Sequence, residues 1–313
     1  MDLVLYHNNC PDGWCAAFIA KMRYQDAELI AMDHGADHAE TLKKCVKRDV
    51  LMVDFSLPTR EENDLLATST RSFQIYDHHK TAQTVLEGAP YAVFDMKRSG
   101  AGLTWDNLYG EIKLPIYRDG KPTGEVIEAA DARPRPWFVN YVEDRDLWNW
   151  KLPNSRAICA YLGTLPFTIG AWEDLFGINQ EDALVLGEGA LAHIQHFVRE
   201  TVKNARQGRL AGYNINILNC TYLNCSEIGN ELAKTADFSL TWFERKDDTV
   251  QFSLRSIGDR DVSRIAKRFG GGGHKNAAGF ELNIRRGREL IDAIVSRAEE
   301  KGRDLDKNFG RCV

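Results

Sequence analysis

The first eighty residues alternate short apolar runs with segments of helical composition. Four runs have the length and composition of strands: LVLYH (3–7), ELIAM (28–32), DVLMVDFS (49–56) and SFQIYD (72–77). The third run is apolar almost throughout, as in strands that are buried on both faces. Strands that alternate with helices of about ten residues predict a parallel sheet with right-handed crossovers. The first part of the chain is therefore predicted to be an α/β domain.

A second series of strand and helix patterns fills the last hundred residues. It follows a long segment of helical composition, Glu181 to Arg209, which is the best candidate for a linker. We predict a catalytic domain in residues 1–180, a helical linker in 181–209 and a smaller α/β domain in 210–313. Residues 111–136 break the pattern and are interpreted as an insertion, with a hairpin that turns at Asp119-Gly120.

Composition and charge exclude several classes of protein. The sequence has no run of about 18 apolar residues, so no membrane span is predicted. The N-terminus lacks the pattern of a signal peptide. The seven cysteines form no C-x-x-C pair, which argues against a disulfide framework and favours a reducing cytoplasm. Residues 1–208 carry a net charge of −8 and residues 209–313 a net charge of +3. An acidic half suits cations, and a basic half suits a polyanion.

Acidic and imidazole side chains stand where the predicted strands end. In open α/β sheets the functional site lies at the carboxyl ends of the strands. The candidates at this edge are His7, Asp12, Asp54, Asp77, His78 and His79, with Asp144 from a later segment. Carboxylates packed together repel one another unless a cation neutralises them. Mixed imidazole and carboxylate donors suit Mn²⁺, Fe²⁺ or Zn²⁺, and a carboxylate-rich set favours Mn²⁺. One or two ions are predicted, with Mg²⁺ or another divalent cation left open.

The stretch RFGGGGHKNAAGF (268–280) lies between a helix pattern and a strand pattern. Glycines in this position allow positive φ and let successive backbone N–H groups point at an anion. The predicted phosphate-binding residues are Gly271, Gly272, Gly273, His274 and Lys275, together with Arg255. A tight turn is the alternative. Ser99, which precedes another helix pattern, is predicted to contact phosphate, with an ordinary N-cap as its alternative.

These motifs together resemble the DHH phosphoesterase superfamily, in the form that carries a C-terminal DHH-associated domain. RecJ-type exonucleases, nanoRNases and cyclic-dinucleotide phosphodiesterases belong to this superfamily. The matching segments are YHNNCPDGWCAA (6–17), VDFS (53–56), YDHHKT (76–81), VEDRDLW (142–148) and, for the associated domain, FGGGGHKNAAGF (269–280). The resemblance covers nearly the whole chain.

The resemblance implies a role for each candidate residue. One ion is expected to be held by Asp12, Asp54, His78 and Asp144, with Asp146 as the alternative to Asp144. A second ion is expected to be held by His7 and Asp54 with a further ligand. His79 is expected to contact the reacting phosphate and to protonate the leaving oxygen. Asp77 is expected to orient a histidine.

The first motif departs from the family pattern at one position. The family commonly carries two aspartates as D-x-D, whereas here Cys10 stands two residues before Asp12. The His7 site is therefore short of a carboxylate. Cys10, Asn9 or water are the candidates to complete it, and a mechanism with one metal ion stays open.

The resemblance implies a metal-dependent phosphodiesterase that hydrolyses short single-stranded oligonucleotides or dinucleotides to 5′-mononucleotides. Two alternatives remain: a polyphosphate or small phosphate-ester hydrolase, and a nucleic-acid-binding protein with a degenerate metal site. The sequence does not distinguish RNA from DNA. It also leaves the oligomeric state undecided, and a homodimer is one of the states it allows.

Overall fold

The computed structural model describes residues 1–110, 114–118, 121–127 and 133–299. The chain divides into two compact units, and the boundary falls between Ala192 and His193. That boundary lies within the segment predicted as a helical linker. Each unit is built around its own sheet.

The first unit contains a five-stranded, fully parallel sheet with the strand order β2-β1-β3-β4-β5. The strands are β1 (Leu3–His7), β2 (Glu28–Met32), β3 (Asp49–Val53), β4 (Ser72–Asp77) and β5 (Ala92–Phe94). In the register, Leu3 pairs with Glu28 on one side and with Val50 on the other. The four predicted strands are confirmed. The fifth was not predicted, because three residues are too few to show a period.

Helices of the first unit separate these strands and continue beyond them. They are α1 (Pro11–Arg23), α2 (Ala39–Cys45), α3 (Arg60–Ser69), α4 (Lys80–Val85), α5 (Gly100–Tyr109), α6 (Trp137–Asp146), α7 (Ser155–Leu162) and α8 (Ile169–Glu173). The long helix α9 (Gln180–Thr201) contains the boundary between the two units. Local sequence explains several of their starts. Pro11 occupies the first turn of α1, where its missing N–H costs nothing. Thr59 and Glu62 form a capping box at the start of α3.

Apolar side chains pack on both faces of this sheet. One core contains Phe18, Phe138 and Trp172, and the other contains Phe55 and Phe73. A separate antiparallel hairpin consists of β6 (Leu114–Arg118) and β7 (Lys121–Ile127). The predicted hairpin is thus present, while its predicted turn at Asp119-Gly120 lies outside the described residues.

The second unit contains a six-stranded mixed sheet with the order β12-β13-β11-β10-β9-β8. Its strands are β8 (Arg206–Leu210), β9 (Tyr213–Asn219), β10 (Phe238–Glu244), β11 (Thr249–Arg255), β12 (Gly272–Gly273) and β13 (Ala277–Asn283). Its helices are α10 (Cys225–Ala233), α11 (Ser263–Lys267) and α12 (Ile284–Glu299). The core contains Phe238, Phe252, Phe280 and Leu290.

The predicted fold class is confirmed: a parallel-sheet α/β unit, a long helix and a smaller α/β unit follow one another along the chain. One detail was wrong. The helical prediction ran to Arg209, but α9 ends at Thr201 and β8 begins at Arg206, because strand pairing with β9 recruits these residues. Among the described helices, none combines the length and the apolar character needed to cross a bilayer.

Candidate metal centre

The functional candidates of the first unit lie at the carboxyl edge of the parallel sheet. His7 is the last residue of β1, Asp54 directly follows β3, and Asp77 ends β4 with His78 and His79 after it. Because β1, β3 and β4 are adjacent in the sheet, their ends bring these side chains together. The structure thus gathers them at the edge that the strand ends predicted.

His78 is the centre of the cluster. Its Nε2 atom lies 3.1 Å from Asp54 Oδ1, 3.4 Å from Asp146 Oδ2 and 3.6 Å from Asp12 Oδ2. The side chains of His78, Asp12 and Asp54 are almost completely buried. Asp146 is more exposed. Three carboxylates around one imidazole nitrogen, two of them buried, are an arrangement that a cation would stabilise.

Asp12 is held in place by the start of α5. Its two oxygens accept hydrogen bonds from the backbone N–H groups of Gly100 (2.6 Å) and Ala101 (3.0 Å). A helix N-terminus favours negative charge, so α5 orients this carboxylate. A side chain at Gly100 would collide with Asp54, since an added Cβ would stand 2.4 Å from Asp54 Cβ.

Ser99 was predicted to contact phosphate, and the structure gives it another role. Its Oγ accepts a hydrogen bond from the N–H of Gly102 at 3.1 Å, and the residue is fully buried. Ser99 is therefore the N-cap of α5, which was the stated alternative. The N–H groups behind it bond to Asp12.

The prediction of Asp144 as a metal ligand also needs correction. Its Oδ1 accepts from the N–H of Lys151 at 3.0 Å, and its Oδ2 accepts from the hydroxyl of Ser155 at 2.6 Å. Asp144 thus supports the loop that leads into α7. Asp146, two residues later, is the carboxylate that faces His78. In a helix, residues two apart point in different directions, so only one of them can reach the cluster.

Asp54 joins the two sides of the cluster. Its Oδ2 lies 3.3 Å from His7 Nδ1, while its Oδ1 faces His78. This Oδ1 is buried and has no hydrogen-bond partner of good geometry among the described residues. The backbone of Asp54 has a φ of +53°, a conformation that costs energy for a residue with a side chain and is frequent at functional sites.

Cys10 belongs to the His7 side. A ring nitrogen of His7, the Sγ atom of Cys10 and an oxygen of Asp54 all lie within 4.8 Å of one another. A second group under the same limit consists of Asp12, Asp54 and His78. The two groups share Asp54, as expected for a carboxylate between two neighbouring ions.

Asp77 orients His79. Asp77 Oδ1 lies 2.6 Å from His79 Nδ1 and also accepts the backbone N–H groups of His78 and His79. Its second oxygen accepts the hydroxyl of Ser56. Asp77 is fully buried, and the side chain of His79 is partly exposed. The expected orienting role of Asp77 matches this geometry.

His34 is a neighbour that the sequence prediction did not include in the site. Its ring stacks on Phe55 with centroids 4.5 Å apart and lies edge-on to His7 at 5.0 Å. Desolvation among these rings, with the charges of His7 and His79, lowers the pKa of His34 to about 3. His34 is therefore neutral at physiological pH. Its position shortly after β2 was the available signal.

Charges within the cluster shift the pKa values of its groups. Burial opposes the charge of His78, but Asp146, Asp54 and Asp12 outweigh burial and raise the pKa of His78. Burial, followed by Asp146 and Asp54, raises the pKa of Asp12. Burial also raises the pKa of the Cys10 thiol, reinforced by Asp54 and Asp12.

The donor set fits a divalent metal ion. Imidazole nitrogens and carboxylate oxygens are its ligands, at about 2.0–2.2 Å for Zn²⁺. One oxygen each of Asp12, Asp54 and Asp146 lies within 3.6 Å of His78 Nε2. Asp54 Oδ1 is buried without a well-aligned donor in the described part of the chain, as expected for a ligand atom. The residues suited to the two positions are Asp12, Asp54, His78 and Asp146 for one, and His7 and Asp54 for the other.

The glycine stretch of the second unit forms a tight turn. The N–H groups of Gly270 and Gly271 donate to the carbonyls of Lys267 (3.1 Å) and Ala266 (3.0 Å) at the end of α11. The N–H of His274 donates to the carbonyl of Ala277 at 2.7 Å. These three groups are thus not aimed at an anion, contrary to the prediction. The turn that was offered as the alternative is present.

Close packing explains the glycines of this turn. Gly270 and Gly273 have φ values of +82° and +130°, which residues with side chains rarely adopt. Gly272 and Gly273 pair with Gly279 and Ala278 in the β12–β13 hairpin. An added Cβ at Gly271 would stand 2.1 Å from the carbonyl oxygen of Gly279.

Two basic side chains near this turn make ordered contacts. Arg255 Nη2 donates to the hydroxyl of Ser226 at 2.8 Å, and its Nη1 donates to the carbonyl of Leu254. Lys275 forms an exposed ion pair with Asp259 at 2.8 Å. Arg255 is therefore held in a fixed orientation, whereas the contact of Lys275 is a surface pair of little energetic weight.

Comparison with known proteins supports this interpretation. Residues 216–300 match the family model of the DHHA1 domain. An uncharacterized protein of Acanthamoeba polyphaga mimivirus is 29% identical over 90% of this chain and 68% of its own length. The oligoribonuclease NrnB of Bacillus subtilis (strain 168) is 23% identical over 94% of this chain and 75% of its own length.

A solved structure shares the fold. RecJ from Thermus thermophilus, in complex with Mn²⁺, aligns with a TM-score of 0.51 and 15% sequence identity, covering 97% of this chain and 53% of RecJ. The match therefore extends across both units of the chain. Together with the DHHA1 match, the Asp77-His78-His79 sequence and the carboxylates gathered around it, this match supports the resemblance: the chain is similar to phosphoesterases of the DHH superfamily.

Proposed function

We propose that this protein is a metal-dependent phosphodiesterase that hydrolyses short single-stranded oligonucleotides or dinucleotides to 5′-mononucleotides. The observation that carries the proposal is the approach of Asp12, Asp54 and Asp146 to the single nitrogen His78 Nε2, within 3.6 Å. Such a site serves to bind a cation and, through it, a phosphate. We place the reaction in the cytoplasm, as the cysteine usage of the sequence predicts.

A divalent cation bound here would neutralise charge on the phosphate and lower the pKa of a bound water. The protein contributes by fixing the ligands before substrate arrives. The start of α5 holds Asp12, and the left-handed backbone of Asp54 directs its carboxylate between His7 and His78. Ligands fixed in this way need little reorganisation during the reaction.

His79 is the proposed proton donor. Asp77 bonds to Nδ1 of His79, which fixes the ring and leaves Nε2 directed away from Asp77. Protonated Nε2 can bond to the scissile phosphate and pass its proton to the leaving oxygen. The partial exposure of His79 gives a substrate access to this nitrogen, in contrast to the buried His78.

The second unit is proposed to bind the remainder of the substrate. Arg255 is oriented by Ser226, and the chain beyond residue 209 is basic overall. With Gly271, Gly272 and Gly273 engaged in a turn, phosphate recognition falls to the side chains of Arg255, His274 and Lys275. Guanidinium groups suit this role because they offer several donors in a fixed plane.

Similarity to an oligoribonuclease across 94% of the chain supports short nucleotides as the substrate class. Mn²⁺ is the proposed ion for the position formed by Asp12, Asp54, His78 and Asp146, because three carboxylates provide mainly oxygen donors. RecJ, whose fold this chain shares, was solved with Mn²⁺.

A panel of substrates tests the proposal. It contains pApA, pGpG, cyclic di-AMP, a short and a long RNA, DNA of the same lengths, and polyphosphate, each with Mn²⁺ and with EDTA. We expect the dinucleotides and the short RNA to yield 5′-mononucleotides with Mn²⁺ and to remain intact with EDTA. Faster turnover of polyphosphate would contradict the substrate class. Binding of RNA without turnover would contradict the enzymatic proposal.

A further inference from the structure

Cys10 occupies the position where the His7 side of the centre lacks a carboxylate. The residue stands at the N-cap position of α1 with extended backbone (φ −122°, ψ 125°). Its Sγ atom lies within 4.8 Å of both a His7 ring nitrogen and an Asp54 oxygen. Three different donor types, sulfur, nitrogen and oxygen, thus face one point.

The geometry is close to that of a coordination shell. Ligand atoms bind Zn²⁺ at about 2.3 Å for sulfur and about 2.0–2.2 Å for nitrogen and oxygen, so two ligands of one ion stand at most about 4.5 Å apart. The separations between Cys10, His7 and Asp54 fall within 4.8 Å. Small side-chain movements would therefore bring all three atoms to a single ion.

A second observation concerns Asp54, whose Oδ1 faces His78 while its Oδ2 faces His7, and it indicates a cation at this shared residue. Asp54 is about 1% exposed, yet its Oδ1 has no hydrogen-bond partner of good geometry in the described ranges. A buried carboxylate oxygen without a donor is costly. The cost disappears when a cation binds, and Asp54 is the residue that both sides of the centre share.

We propose that Cys10 is a thiolate ligand of the metal ion on the His7 side, and that this position therefore takes Zn²⁺ or Co²⁺ in preference to Mn²⁺ or Mg²⁺. Soft thiolate ligands select ions such as Zn²⁺, whereas carboxylates suit Mg²⁺ and Mn²⁺. The centre then has two unlike halves, one rich in oxygen donors and one with sulfur. This inference rests on the metal centre of the proposed function and specifies its composition.

Cobalt provides a direct test, because a thiolate bound to Co²⁺ gives a charge-transfer absorption band that oxygen and nitrogen ligands do not give. We titrate the full chain with Co²⁺ and expect the band to appear. Cys10→Ser should lose it. Cys225→Ser is the matched control, since this half-buried thiol lies at the start of α10 in the second unit, and it should keep the band.

Cys10→Asp reverses the predicted preference. A carboxylate in place of the thiol should raise the affinity for Mn²⁺ relative to Zn²⁺, by at least about the tenfold change that even outer-shell substitutions cause. Competition between the two ions, followed by calorimetry, measures the ratio. An unchanged ratio would contradict the proposal.

A measurement on the unaltered protein covers the case in which a variant fails to fold. Bound Zn²⁺ should protect Cys10 from alkylation by iodoacetamide, as read by peptide mass mapping, and should leave Cys225 reactive. Absence of the cobalt band, or equal alkylation of Cys10 with and without Zn²⁺, would overturn the thiolate assignment. Hydrolysis of dinucleotides with Mn²⁺ would then still support the proposed function. A cobalt band without hydrolysis would support Cys10 as a metal ligand and contradict the proposed phosphodiesterase function.

Discussion

The candidate metal centre of the first unit was predicted from sequence to bind a cation, and the glycine turn of the second unit to bind an anion. The two places differ in how their polar groups are hydrogen-bonded. In the centre, Asp54 Oδ1 is buried without a well-aligned donor among the described residues, and His78 is surrounded by carboxylates. In the turn, the N–H groups of Gly270, Gly271 and His274 bond to nearby carbonyls.

The difference shows what a ligand must supply in each place. In the first unit we propose that a cation balances the buried carboxylates Asp12 and Asp54, because an uncompensated buried charge is costly. No anion is needed to complete the backbone of the turn, since its hydrogen bonds are internal. Any phosphate bound there would be recognised by side chains. Substitutions in both places, together with metal removal, test whether the centre depends on a cation and whether the turn is stable without a ligand.

The largest effect is expected from Asp54→Asn. The amide keeps the shape of the side chain but cannot bridge two cations, so hydrolysis should fall below detection while the fold is retained. Steady-state turnover at saturating Mn²⁺ measures the loss. Glu40→Gln, which alters an exposed carboxylate of α2 paired only with Lys43 on the same helix, is the control and should keep the hydrolytic activity. Full turnover by Asp54→Asn would remove Asp54 from the mechanism.

Substitutions at Asp144 and Asp146 distinguish the proposed metal ligand, Asp146, from the residue that stabilises the loop before α7, Asp144. Asp146→Asn should weaken metal binding by at least about tenfold with little change in the free energy of unfolding. Asp144→Asn should lower that free energy by about 1–3 kcal/mol, because the Lys151 N–H and the buried Ser155 hydroxyl lose a charged acceptor, and should leave metal affinity unchanged. Calorimetry and urea unfolding measure both. The reverse pattern would restore Asp144 as the ligand.

Metal removal should affect the two units unequally. A metal concentration a hundredfold above Kd stabilises the state that binds it by about 2.7 kcal/mol. We expect EDTA to accelerate hydrogen exchange in β1, β3 and β4, which end at the centre, and to leave the β12–β13 hairpin unchanged. Hydrogen exchange followed by mass spectrometry resolves these segments. Equal acceleration in both units would show that the contrast drawn above is wrong.

Substitution of glycines tests the turn. Gly271→Ala places a Cβ 2.1 Å from the oxygen of Gly279 and should cost about 1–3 kcal/mol of stability, as overpacking does. Gly189→Ala is the matched control: it lies in α9 with nothing within 4 Å of the added atom and should stabilise by about 0.5–1 kcal/mol. Urea unfolding measures both changes. A neutral Gly271→Ala would mean that the turn is loose.

The smallest effect is expected from His274→Ala. If the turn supplies side chains for substrate binding, KM for a dinucleotide should rise more than kcat falls, because the lost contact acts equally on substrate and transition state. Metal affinity should not change. A fall in kcat with constant KM would instead assign His274 to the chemical step.

Much of the fold could be predicted from the sequence because its periodic patterns are local. The apolar runs at 3–7, 28–32 and 72–77 match the observed strands. Strand β5 and strand β12 were not predicted, since segments of two or three residues show no period and depend on pairing with β4 and β13. The end of α9 was placed too late for the same reason: β9 recruits Arg206 to Leu210.

The site was predicted less completely than the fold. Strand ends indicated His7, Asp54, Asp77, His78 and His79, whose positions follow from the topology alone. The choice between Asp144 and Asp146 depends on which of the two side chains at the end of α6 faces His78, and spacing along the chain does not define that direction. His34 enters the site because its ring packs on Phe55.

The sequence by itself determined the class of fold, the edge of the sheet at which the chemistry lies and the types of donor gathered there, because these depend on local periodicity and on the order of residues along each strand. Only the tertiary structure decided which oxygen faces which nitrogen, that Ser99 caps a helix, and that the glycines close a turn. The first outcome depends on contacts between segments far apart in the chain, which the packing of whole elements sets. The other two depend on short-range hydrogen bonds, and the surrounding structure selects which of these form.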